Sequence, residues 1–210
     1  MPVIAVVGNK GGAGKTTLVV NLAAGLAKKD SIAIVDADPQ GSALQWRAIA
    51  DGQGALSVFA AGSNIHGQTA ELLQNYNYVV IDCPPSVHAR QTNAVLEVGD
   101  MALIPVQPSP MDLWATVHIE QAISRAREGN PRLSAMLVIN QLETRTIMSR
   151  LMREALSEIS LPVAQTPLRR RAIYRNSALE GRSVFDMGSR GNDAAAEIEQ
   201  LIHEVIHDNH

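Results

Sequence analysis

Cysteine is almost missing from this chain. Cys83 is the one thiol in 210 residues, which excludes an internal disulfide and points to a reducing compartment, the cytoplasm. Aromatic residues make up only 3% of the sequence, too few for a protein that binds single strands by stacking on their bases. No apolar run reaches the ~18 residues that a spanning helix requires, so a soluble protein is expected. The first strand-like run begins at Val3, leaving no room for a signal peptide or an N-terminal DNA-reading module. His203 and His207 lie one helical turn apart, with His210 beyond them, but no further ligand cluster accompanies them. They read as a solvated terminus rather than a metal site.

The composition that is present is 46% hydrophobic, enough to bury the core of one α/β domain spanning 1–210. The net charge of −3 conceals an asymmetry: Arg145 to Arg190 holds nine arginines against four acids. A planar guanidinium grips phosphate in a bidentate way, so this basic third is a candidate anion surface.

Strand-like runs recur at Val3 to Val7, Ile32 to Val35, Leu56 to Phe59, Tyr78 to Ile81, Ala102 to Val106 and Met136 to Ile139. Helical periodicity fills Thr16 to Lys29, Ser42 to Ala50, His66 to Asn75, Arg90 to Val98, Leu113 to Arg127 and Thr146 to Ile159. Alternation of this kind predicts an α/β fold with a mostly parallel central sheet flanked by helices on both faces. In such sheets ligands bind beyond the carboxyl ends of the strands, and the informative residues follow each run.

After the first run comes Gly8-Asn9-Lys10-Gly11-Gly12-Ala13-Gly14-Lys15-Thr16-Thr17. The glycines let backbone N–H groups crowd round an anion at the start of a helix. Lys15 is placed for the β and γ phosphates, and the Thr16 hydroxyl for Mg²⁺. Asn9 stands where the strict phosphate-loop pattern has glycine, and asparagine tolerates the left-handed region better than most residues. Lys10 is surplus to an ordinary phosphate loop. After the second run, Asp36-Ala37-Asp38-Pro39-Gln40 offers two carboxylates for metal or water. After the fourth, Asp82 follows four hydrophobic residues as a Mg²⁺ ligand should. Gln107 to Asp112 forms a proline-stiffened loop in which Ser109 and Asp112 are candidate helix caps; the alternative is a loop that senses nucleotide or faces a partner. Asn140, after the sixth run, offers an amide to an adenine edge.

Together these landmarks resemble the ParA/MinD group of deviant Walker A ATPases. The match rests on Lys10 to Thr17, on Asp36-Ala37-Asp38-Pro39-Gln40-Gly41, on Ile81-Asp82-Cys83-Pro84-Pro85 and on Glu180 to Phe185. It is most like the short ParA-type partition proteins that lack an N-terminal helix-turn-helix. The resemblance implies a P-loop ATP hydrolase forming an ATP-dependent sandwich homodimer, in which Lys10 reaches the partner's phosphates. It implies ATP contacts from Lys10, Gly11, Gly12, Ala13, Gly14, Lys15, Thr16 and Thr17. Mg²⁺ is to be supported by Thr16, Asp36 and Asp82, with Lys10, Lys15 and Asp38 catalytic and Asp38 orienting water. It further implies an adaptor that stimulates hydrolysis and non-specific duplex DNA binding, with Ser189-Arg190-Gly191 resembling the family segment that carries one DNA-binding arginine; Arg169, Arg170, Arg171 and Arg175, in a basic run upstream, are candidates for further contacts. The expected cargo is plasmid or chromosome DNA; the alternative is a protein cargo such as carboxysomes or chemoreceptor clusters.

Four rivals are weaker, of which a non-enzymatic DNA-binding module predicts DNA binding that is indifferent to ATP. A membrane-bound MinD-like protein ends in a basic amphipathic helix, whereas the polar face of Asp193 to Ile206 is acidic. A nitrogenase-type iron protein needs two cluster cysteines per subunit. A metabolic ligase on this scaffold predicts turnover that responds to a metabolite rather than to DNA and a partner protein.

Overall fold

The computed structural model describes residues 2–50, 56–143 and 159–207. Six strands form one sheet: β1 Val3–Val6, β2 Ile32–Asp36, β3 Ser57–Ala60, β4 Tyr78–Asp82, β5 Met101–Val106 and β6 Ser134–Ile139. Their order is β3-β2-β4-β1-β5-β6 and every pairing is parallel. From β1 the chain moves toward β3, then returns past β1 to lay down β5 and β6. The phosphate loop therefore leaves the centre of the sheet, where the direction of travel reverses.

Alternation along β1 shows how the layers are made. Val3 and Ala5 point to the face covered by α3 (Ile65–Leu72), α4 (Arg90–Val98) and α5 (Pro110–Gly129). Ile4 and Val6 point to the opposite face, covered by α1 (Lys15–Leu26) and α7 (Asn192–His207). A strand buried on both sides must be apolar at every position, which is why the runs stand out in the sequence. On α7, Ala194, Ile198, Leu201 and Val205 are fully buried against α1 and the sheet. Each large aliphatic so buried contributes about 1.5–3 kcal/mol. The helices approach closely at Gly25, where a Cβ would lie 2.5 Å from Ile202 Cδ1. The acidic C-terminal helix thus packs on the domain, and no described helix is long and apolar enough to cross a membrane.

Two departures from the sequence reading have physical causes. α5 begins three residues earlier than expected, because the Ser109 hydroxyl accepts from Asp112 N and Pro110 starts the helix with φ already set. α6 (Ala172–Leu179) is not expected at all, since Ser177 is its one buried residue and no apolar stripe announces it. α2 (Ser42–Ile49) matches its run. The helix expected over Thr146 to Ile159 lies, apart from Ile159, outside the described residues, as do Arg145, Arg150, Arg153 and His210.

Candidate nucleotide and catalytic site

Gly12 (φ 78°) and Gly14 (φ 88°) hold the phosphate loop in the left-handed region that other residues enter only at a cost of roughly 1–2 kcal/mol. Gly14 caps α1, and among the described residues no side chain takes up the first N–H groups of that helix. They remain available to an anion, at the positive end of the helix dipole. Asn9 does not use the left-handed freedom that the sequence suggests. Its side chain instead accepts from Val87 N at 3.5 Å, tying the phosphate loop to the segment after β4.

Both loop lysines rest on acceptors of their own chain. Lys15, 7% exposed, donates from Nζ to the Lys10 carbonyl at 3.1 Å. Burial lowers its pKa, and the nearby Asp82 and Asp38 carboxylates counter that shift. Lys10 Nζ lies 3.3 Å from Asp112 Oδ2, where α5 begins. Asp112 is buried and also accepts from the Ser109 hydroxyl. Ser109 and Asp112 are therefore caps, as one sequence reading has it, and Asp112 is in addition the seat of Lys10. Half a turn further along α5, Trp114 is 70% exposed and Val117 lies open beside it.

Asp36 and Asp82 are register neighbours at the ends of β2 and β4. Asp36 accepts from Asp38 N (3.2 Å) and Leu44 N (3.0 Å), so its two oxygens anchor the loop and first turn ahead of it. Burial nonetheless raises its pKa. Asp82 accepts from the Thr16 hydroxyl at 2.6 Å through Oδ2, while Oδ1 is buried without a hydrogen-bond partner. Asp38 is less buried. Its Oδ1 accepts from Gln40 N at 2.9 Å, leaving Oδ2 open. An orphaned carboxylate oxygen beside a threonine hydroxyl fits Mg²⁺, which takes one or two protein oxygens and fills its remaining positions with phosphate and water. No group of three or more His, Cys, Asp or Glu suited to a metal occurs among the described residues, which excludes an all-protein cage there. Cys83 is fully buried, and burial pushes its thiol pKa far up, so it is inert.

Burial pushes the Asp82 pKa from 3.8 up to about 7, with the Thr16 hydrogen bond opposing the shift. Between those values the folded chain keeps a proton that the unfolded chain has released, so stability falls as pH rises through that window. Without nucleotide or Mg²⁺, Asp82→Asn should melt above the parent at pH 8, with the gap narrowing toward pH 4. Thermal melts across that range check this; a gap that does not change with pH would overturn it.

Three side-chain amides brace the loop from the neighbouring strand ends. Gln107 Nε2 donates to the Gly12 carbonyl at 2.7 Å, and Gln141 Nε2 to the same oxygen at 3.2 Å. Asn140 Nδ2 donates to Ala13 O at 2.7 Å, and its Oδ1 accepts from Gln141 N at 2.9 Å. Asn140 is thus placed at the expected strand end but engaged with the loop. A cavity of 740 Å³ opens from Gly14 and Thr17, with Asn140 to Glu143 on one side and Leu168 to Tyr174 on the other. That volume suits a nucleoside continuing from the phosphate loop.

The arginine run is not a free basic face. Arg170 pairs with Glu143 at 2.6 Å. Glu197 on α7 takes Arg171 at 2.7 Å and Arg169 at 3.6 Å, and Asp193 takes Arg171 at 3.1 Å. These three arginines wall the cavity with most of their charge answered inside the chain. Arg175 and Arg190 are exposed and carry no ion pair among the described residues.

The structure brings Lys10, Lys15, Thr16, Asp36, Asp38 and Asp82 to one end of the sheet, and Arg175 lines the cavity that opens from Gly14 and Thr17. Sequence reasoning missed the bracing roles of Gln107 and Gln141 and the seat that Asp112 gives Lys10. Their one signal was position, immediately beyond β5 and β6.

Residues 4–184 match the family model described as the CobQ/CobB/MinD/ParA nucleotide binding domain. The chain is 44% identical over 208 residues to maintenance of carboxysome distribution protein A of Halothiobacillus neapolitanus, covering 97% of this chain and 95% of the relative. It is 31% identical to the protein of the same name from Gloeobacter kilaueensis, over 98% of this chain and 94% of that one. In fold it is similar to the ATP complex of McdA from Cyanothece, with a TM-score of 0.75 and 15% identity over 98% of this chain and 96% of that chain. With these matches added to the phosphate loop and its two lysines, the chain belongs to the CobQ/CobB/MinD/ParA family of nucleotide-binding proteins.

Proposed function

We propose that the chain is a Mg²⁺-dependent ATP hydrolase that cycles between a monomer and an ATP-bound homodimer and thereby spaces carboxysomes or a similar protein cargo. The observation that carries the reading is 44% identity, over nearly the full length of both chains, to a protein named for carboxysome distribution. This moves the cargo from plasmid or chromosome DNA, the first expectation, to its alternative.

In this reading the N–H groups of the phosphate loop and Lys15 hold the triphosphate, and the base lies in the cavity beyond Thr17. Thr16 and Asp82 hold Mg²⁺, which supplies charge neutralisation at the phosphates, and Asp36 keeps the carboxylate loop in place. Asp38, with an open oxygen, orients the attacking water. Lys10 leaves Asp112 to meet the phosphates of a second copy, adding positive charge where the transition state develops negative charge. The exposed Trp114 beside that ion pair supports a dimer face on this side of the molecule. Arg175 and Arg190 are the candidates for non-specific duplex contact, and a separate adaptor stimulates turnover.

Light scattering and DNA retention over a salt series test the cycle. ATP is expected to double the mass and to promote salt-sensitive DNA retention, and Arg190→Ala to weaken retention while leaving ATP binding intact. Equal retention with ADP sinks the nucleotide switch. Deleting the gene in its host should cluster carboxysomes; lost plasmids with normally spaced carboxysomes would return the cargo to DNA.

A further inference from the structure

We propose that Gln141 is a positioning residue that makes the geometry of the phosphate loop respond to the base end of the cavity. The inference rests on the nucleotide reading above and concerns how one site's two halves communicate.

Among the described residues Gln141 is the one non-glycine with positive φ, at 56°. Such a conformation costs on the order of 1–3 kcal/mol and persists only where its surroundings enforce it. Two contacts enforce it here. The Gln141 N–H donates to the Asn140 carboxamide at 2.9 Å, and the Gln141 side chain reaches the Gly12 carbonyl at 3.2 Å. Asn140 itself grips the next carbonyl, that of Ala13, at 2.7 Å. Two consecutive residues thus hold two consecutive loop carbonyls. Gly14 lets them approach: a Cβ there would lie 2.4 Å from Asn140 Nδ2 and 3.7 Å from Gln141 Nε2.

The same pair borders the cavity, whereas Gln107 does not. Gln107 holds the same Gly12 oxygen at 2.7 Å from the end of β5. The two glutamines therefore offer one acceptor two amides of equal chemistry: a short bond from outside the cavity and a longer one from a strained residue on its wall. The short bond fixes the loop whatever the cavity holds. The long one has room to tighten when a base presses on the segment that carries it.

The test is calorimetric titration of the purified chain with Mg-ATP and with magnesium tripolyphosphate, which carries the phosphates and no base. Gln141→Ala is expected to weaken ATP about fivefold, the scale of one net hydrogen bond, while tripolyphosphate changes by less than about twofold. Gln107→Ala should weaken both ligands alike. Gln141→Gly, which takes this φ without strain, guards against a folding defect and should show the same selective loss. If Gln141→Ala and Gln141→Gly weaken both ligands equally, or neither, the inference is overturned and Gln141 is a simple brace. Failure of the parent chain to bind ATP would instead remove the nucleotide reading itself.

Discussion

Lys15→Ala should bind Mg-ATP at least about 100-fold more weakly than the parent, a loss of ~2.7 kcal/mol, and melt no lower without nucleotide. The second half follows from burial. Lys15 is 7% exposed, and its ammonium donates to one backbone carbonyl in place of the water it has left. Its pKa is lowered chiefly by that desolvation, so the charged form is disfavoured in the folded chain. That penalty is absent above the ordinary lysine pKa and builds as pH falls from there toward the lowered value, so at neutral pH removing the side chain relieves it. The first half follows because a triphosphate is the partner the ammonium lacks, in a site where water does not screen the attraction. Calorimetry and a melting curve on one preparation check both parts; retained ATP affinity would remove Lys15 from the site.

Replacing Asp38 separates turnover from binding. Asp38→Ala is expected to slow hydrolysis by about 10²–10³-fold while ATP affinity changes little, accumulating the ATP-bound form. The carboxylate is well placed for this: Oδ1 fastens the turn through Gln40 N, while Oδ2 remains open. Alanine removes the turn contact as well as the charge. Asp38→Asn discriminates, since its carbonyl oxygen can still accept from Gln40 N and only the charge is lost. Single-turnover rates are the measurement. If the asparagine variant hydrolyses at the parent rate and only alanine is slow, Asp38 fastens the turn and does not act on water.

How much of this was legible in the sequence depended on whether a signal was local. Each central strand announced itself because both of its faces are buried, and the strand ends then pointed to the site. The loop glycines, Lys15 and Thr16 lie within one short stretch and were equally plain. Asp112 was readable as a cap, since Ser109 is three residues away, but Lys10 is 102 residues distant. Gln107 and Gln141 meet Gly12 across 95 and 129 residues, and a carboxamide donor has no spacing that betrays it. Asn140 stands at the expected strand end, and its contact with Ala13 O spans 127 residues. The ion pairs of the arginine run are hidden for the same reason, since the answering Glu197 sits 26 residues beyond Arg171.

The contact between α1 and α7 has a consequence for how the protein is made. α1 carries Lys15 and Thr16 and precedes in the chain the helix α7 that buries its apolar stripe on it. Lys28 and Glu199 meet at 2.6 Å across 171 residues of chain. Glu197 and Glu204 on α7 fasten the cavity wall, taking Arg171 and the N–H groups of Gln165 and Thr166. Loop closure over such a span is slow relative to local folding. A growing chain therefore has its phosphate loop long before α7 arrives to fasten the cavity wall.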